Sequence, residues 1–68
     1  MEYVVIIEKS ESGFGAFVPD LPGCVAVATT REETVHLIKE AVELHIESLR
    51  EHGEPVPDPT ATAEKIAV

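Results

Sequence analysis

Three histidines, one cysteine and a scatter of carboxylates are the residues of this chain that could do chemistry. Metal binding is the first test. His36 and His45 are nine residues apart, which sets them on opposite sides of a helix. His45 and His52 are seven apart, two turns, too far to share an ion unaided. No His-Glu-x-x-His run and no second cysteine completes a ligand set. His45 falls at the edge of an apolar helix face and reads as a half-buried structural residue. His36 and His52 read as solvated. Nucleophilic catalysis is the second test. Cys24 would need a base and an oxyanion hole, and nothing local activates its thiol. The competing reading is a small apolar residue at a strand start, since cysteine is among the most buried residue types. Paired carboxylates are the third test. Asp20 with Glu2 or Glu8 could imitate the acids of a two-metal nuclease. However, the strand interiors carry no acid, and the helix acids lie opposite the core stripe. The expectation is no catalytic set, no metal and no cofactor.

These residues are positioned by a short list of elements. Residues 2 to 8, EYVVIIE, are β-branched and aromatic between two glutamates and predict a strand. Tyr3, Val5 and Ile7 point to one face, and Val4 and Ile6 to the other. Both faces are apolar, and one helix can cover only one of them. The other implies a second protein layer. Residues 9 to 13, KSESG, predict a hairpin connection of three to five residues, and 14 to 18, FGAFV, the returning strand. In the stretch VPDLPGC, residues 18 to 24, each proline removes an N–H donor and fixes φ, while Gly23 permits a positive φ. That predicts a rigid corner, with Asp20 bonding nearby backbone N–H groups as turn aspartates do. A third strand is expected over 24 to 28.

Thr30, with Glu33 three residues on, makes a capping box. Apolar positions then recur at Val35, Ile38, Val42, Ile46 and Leu49, and Gly53 with Pro55 supplies the stop. The helix is expected over 31 to 52. Residues 54 to 62 form a proline-rich return. Residues 63 to 67 read as a short fourth strand, with a helical turn as the alternative. The expectation is one α+β domain over residues 1–68, ordered β-β-β-α-β, with a small antiparallel sheet packed on one long helix.

Composition bounds the partners. Thirteen acids against five basic residues leave a net charge of −8. The basic residues are scattered, so no cluster exists to replace counterions on phosphates, and direct nucleic-acid binding is not expected. An acidic surface suits a basic partner, and it also simply keeps a protein soluble. No signal-like segment is visible, and the longest apolar run, YVVII, is far short of a membrane span. A cytoplasmic location is expected. A domain this small is marginal alone and, lacking a disulfide, is expected to self-associate. On the helix, Glu33, Glu40, Glu43, Glu47 and Glu51 gather in one stripe with His36 among them. Leu37 and Leu44, a heptad apart beside that stripe, read either as a contact seam or as ordinary exposed leucines.

The strand pair, PDLPGC at 19 to 24, the capped helix from Thr30, IKEA at 38 to 41 and GEPVP at 53 to 57 together resemble the N-terminal domain of HicB-type antitoxins. The chain departs from that pattern at ATT, residues 28 to 30, where the family often has Gly-Asp-Thr, and at Thr34, where it has Ala. Many family members carry a C-terminal DNA-binding domain; residues 1–68 are expected to hold the N-terminal domain without it, and operator binding is not expected of them. The resemblance implies a partly degraded ribonuclease H-like fold without catalytic carboxylates. It implies a non-catalytic antitoxin that neutralises a small basic HicA-type mRNA interferase by covering its active site, and that forms a dimer or tetramer with itself. The contact residues expected on that reading are Asp20, Leu21, Leu37, Glu40, Glu43, Leu44, Glu47 and Glu51. The alternative is an orphan homo-oligomeric regulatory or scaffold domain with no toxin, and a residual nuclease using Asp20 is a further rival.

Overall fold

The computed structural model describes residues 1–68. Three strands, β1 (Ile6–Ser10), β2 (Gly13–Phe17) and β3 (Val25–Ala28), precede one helix, α1 (Arg31–Glu51). The strands form one antiparallel sheet in the order β1-β2-β3. The helix packs across β2 and β3. Sheet and helix are the two layers, and the core lies between them.

The first strand begins later than its apolar run suggests. Ile6 pairs with Phe17, the last residue of β2. Beyond Phe17 the chain enters the corner, where the Val18 N–H is bonded to the Cys24 carbonyl. Residues 2 to 5 therefore have no β2 partner. The hairpin loop is tighter than expected. Ser10 pairs with Gly13, leaving Glu11 and Ser12 as a two-residue connection, and the Ser10 hydroxyl donates to the Gly13 carbonyl. The strand expected over 63–67 does not form, and nor does a helical turn. The chain before it is bonded to Asp20 rather than led along a sheet edge, and residues 62 to 68 are exposed.

The helix is bounded by the expected chemistry. The Thr30 side chain accepts from the Glu33 N–H at 3.1 Å, and Glu32 and Glu33 sit at the positive end of the helix dipole. At the other end the Gly53 N–H bonds the Arg50 carbonyl and the Glu54 N–H bonds the Leu49 carbonyl, with Gly53 at φ +66°. That paired closure is a Schellman motif, in which the glycine takes the left-handed position. His52 is the C-cap, so the helix stops one residue before the expected end.

Five apolar residues form the core: Ala16, Val18, Leu21, Cys24 and Ile38. Three of them come from the corner. The register sets Ile7, Ala16 and Ala26 in one row facing the helix, and small side chains there let α1 approach closely. The opposite row, Ile6, Phe17 and Val25, faces away from α1. Val25 and Val27 are 62% and 75% exposed, and no element of the chain covers them.

Gly13 is where the hairpin meets the start of the helix connection. A Cβ there would lie 2.3 Å from the Ala28 carbonyl oxygen. Gly23 has open space around it but sits at φ +83°. Gly13→Ala should therefore lower stability by about 1–3 kcal/mol through forced backbone movement. Gly23→Ala should cost about 1–2 kcal/mol through the left-handed conformation alone. Urea midpoints at one fixed protein concentration test both, and a neutral Gly13→Ala would show that the close approach relaxes freely.

Candidate partner-binding surface

The corner is built from two consecutive turns. The Leu21 N–H bonds the Val18 carbonyl at 3.1 Å, with Pro19 as the second residue of that turn. The Cys24 N–H then bonds the Leu21 carbonyl at 3.0 Å, with Pro22 second and Gly23 third at φ +83°. Proline followed by a positive-φ glycine is the type II arrangement. The two turns swing Leu21 inward, and it has no exposed surface. This corrects its assignment as a contact residue. Leu21 is the plug of the core, and a partner cannot reach it without opening the fold. Cys24 is buried beside it, and desolvation pushes its thiol pKa up. A nucleophile needs the opposite shift.

Asp20, between the two prolines, faces the C-terminal segment. One carboxylate oxygen accepts the Thr60 and Ala61 N–H groups at 3.0 and 2.9 Å. The other accepts the Thr60 hydroxyl at 2.9 Å. Asp20 therefore bonds a segment forty residues away, not its own turn. Its carboxyl is held below the usual carboxylate range, first by the Ala61 N–H and then by the Thr60 hydroxyl. A second tie fastens the same return: the Tyr3 hydroxyl donates to the Pro57 carbonyl. Neither tie could be read from local sequence, because both join residues far apart along the chain.

The helix presents the remaining expected contact residues outward. Glu40, Glu43, Glu47 and Glu51 are exposed, as are Leu44 at 65% and Leu37 at 39%. Glu43, Glu47 and Glu51 repeat at one-turn intervals, a like-charge spacing that weakens a lone helix. The only ion pair within 4 Å is His36 with Glu40 at 3.1 Å, on an exposed face where such pairs contribute little. Glu43, Glu47 and Glu51 thus form a row of carboxylates with no ion-pair partner within 4 Å. It lies on one helix face, while Asp20 belongs to the end of the sheet. The structure does not gather the eight expected residues into one patch.

The profile of a family described as the HicB-like antitoxin of bacterial toxin–antitoxin systems matches residues 3–67. This chain belongs to that family. A UPF0150 protein, Ta0767 of Thermoplasma acidophilum, is 45% identical, with the alignment spanning all of this chain and 97% of the relative. Another, ssr1765 of Synechocystis, is 46% identical over 81% of this chain and 71% of its own length. Among solved structures, a chain of a HicA3 and HicB3 toxin–antitoxin complex superposes with a TM-score of 0.74 at 33% identity, covering 88% of this chain and 70% of that one.

Three antiparallel strands followed by one long helix are the HicB-like arrangement. The departure at Thr34 is accommodated. Thr34 has no exposed surface, and its hydroxyl donates to the Thr30 carbonyl at 2.8 Å, with the Phe14 carbonyl at 3.5 Å. An extra buried hydroxyl is tolerated because it is satisfied within its own helix turn.

Asp20→Asn puts an NH₂ where one of the carboxylate oxygens receives an N–H or O–H donor. Exchange of the Thr60 and Ala61 amides should accelerate to the rate of a free chain, while the helix amides stay protected. The pH dependence has a defined sign. The folded pKa lies below the ordinary 3.8, so the contribution of these bonds is whole above pH 3.8. It is lost as pH falls through the lower folded value. Amide protection at Thr60 and Ala61 that is unchanged in Asp20→Asn would remove Asp20 as the anchor.

Proposed function

We propose that this chain is the antitoxin half of a toxin–antitoxin pair. It is a non-catalytic module that binds a small basic HicA-type mRNA interferase and neutralises it by covering the active site. The observation that carries this reading is its similarity over most of its length to a chain of the HicA3 and HicB3 complex. Charge supports it independently. A net charge of −8 and the unpaired carboxylates of Glu43, Glu47 and Glu51 suit a basic protein, through both steering and complementarity. The chain works in the cytoplasm, where its target mRNA interferase acts, and it makes no direct contact with nucleic acid. No helix is long and apolar enough to cross a membrane.

Self-association is the second part of the proposal, and the bare sheet face favours it. Phe17, Val25 and Val27 form an exposed apolar surface with Glu8 as the nearest charge in the paired rows. A second copy can meet this face without bringing two glutamate rows together. The orphan reading, a homo-oligomer without a toxin, keeps this same surface and discards the acidic one.

Titration with the small basic product of a gene adjacent to its own should form a complex at about 50 mM salt that weakens markedly by about 500 mM, as screening shortens. Absence of a complex at low salt sinks the antitoxin reading and leaves the orphan. Separately, Val27→Lys with Val25→Lys should reduce the mass measured by sedimentation to that of one chain. An unchanged mass would mean that the copies meet elsewhere.

A further inference from the structure

The helix does not cover the sheet evenly. It packs on β2 and β3, and the inner side of β1 and of residues 1 to 5 is left only partly roofed. Between that N-terminal segment and the helix flank runs a groove. It consists of two adjoining hollows of about 720 and 430 Å³, which share Met1, Tyr3, Val42 and Glu43. Its walls are apolar: Tyr3, Val5 and Ile7 from the N-terminal side, and Val35, Val42 and Ile46 from the helix. Its lip is charged, with Glu43, Glu47 and Glu51 at one-turn intervals and Lys39 and Arg50 among them. None of these lip charges is paired within 4 Å. The same lip is the inner border of the acidic stripe.

We propose that this groove is the seat of the basic partner, and that it receives the apolar face of an amphipathic helix carrying Lys or Arg along one edge. This rests on the antitoxin reading and deepens it by naming the surface. Three observations select the occupant. The groove lies beside α1, in the helical layer beneath the sheet, so a second helix completes that layer. From Val35 to Glu51 it runs about 24 Å, the length of a helix of about 16 residues. Apolar walls under an acidic lip match a helix that is apolar on one side and basic at its edge. A second copy fits less well, because its only helix would oppose glutamates to glutamates. The chain's own last residues, TAEKIAV, fit less well too, because they carry one acid and one base and add no net charge to meet the lip.

The probe is a synthetic 16-residue amphipathic helix, with leucines at helical spacing and lysines along one edge. The same peptide with glutamates in place of the lysines is the comparison. Backbone and methyl NMR shifts on the full chain should move at Tyr3, Val42 and Ile46. The glutamate peptide should bind about tenfold more weakly at low salt, and Glu43→Lys with Glu47→Lys should reverse that preference. Glu11→Gln, in the exposed hairpin loop away from the groove, should leave peptide binding unchanged. Shifts confined to the outer sheet face or to Leu37 and Leu44 would overturn the proposal. So would equal binding of the two peptides. Groove signals that move with protein concentration alone would also overturn it, because a second copy then fills the groove. The two levels of the reading fail separately. If a toxin complex forms and the Glu43→Lys, Glu47→Lys chain binds that toxin as well as the unaltered chain, the antitoxin reading stands and the groove is discarded.

Discussion

The side chain of Leu21 is fully buried in one cluster with Ala16, Val18, Cys24 and Ile38, and its own backbone is hydrogen-bonded on both sides. Burying a leucine this fully contributes about 2–3 kcal/mol, a large share of what so small a domain can gather. Only six of the 68 residues are buried, and Val18, Leu21 and Cys24 are half of them. The core is thus assembled around a loop rather than around two ideal faces. The prolines and Gly23 act by holding that loop in the one shape that delivers Leu21 inward. The same shape fixes the end of β2, the start of β3 and, through Ile38, the seat of the helix.

A core concentrated at one end leaves other surfaces unfinished, and they differ in chemistry. The outer sheet face is apolar and almost uncharged. The helix carries a row of carboxylates, Glu43, Glu47 and Glu51, with no ion-pair partner within 4 Å. Between helix and N-terminal segment lies an apolar trough with that row as its lip. A protein of net charge −8 repels its own copies wherever acids meet. On the proposed function, the uncharged sheet face is the one suited to a second copy, and the acidic row to a partner of opposite sign.

The C-terminal return has no regular structure, yet it is tied down at two points. Tyr3 holds Pro57, and Asp20 holds Thr60 and Ala61. Prolines at 55, 57 and 59 remove backbone donors, so this segment has little to offer a sheet edge. Its remaining N–H groups are gathered by one carboxylate instead. That carboxylate stands in the corner, so the loop that fills the core also anchors the chain's end.

Much of this was legible from residue types alone. The capping box at Thr30, the glycine closure at Gly53, the alternation of the strands and the apolar helix stripe are local signals, and each produced its element within a few residues. The family resemblance was carried by the same local marks. The sequence by itself thus determined the order of elements, the stiffness of the corner and the acidic character of the helix, because backbone propensity and charge act over a few residues. Tertiary structure alone decided that Leu21 is core rather than contact surface, that Asp20 grips Thr60, and that a groove opens beside the helix. It also decided that β1 starts at Ile6 and that no fourth strand follows. The reason is physical: burial and long-range hydrogen bonds depend on which distant segments meet. A proline-glycine corner has the same letters whether its leucine points into a core or out to a partner.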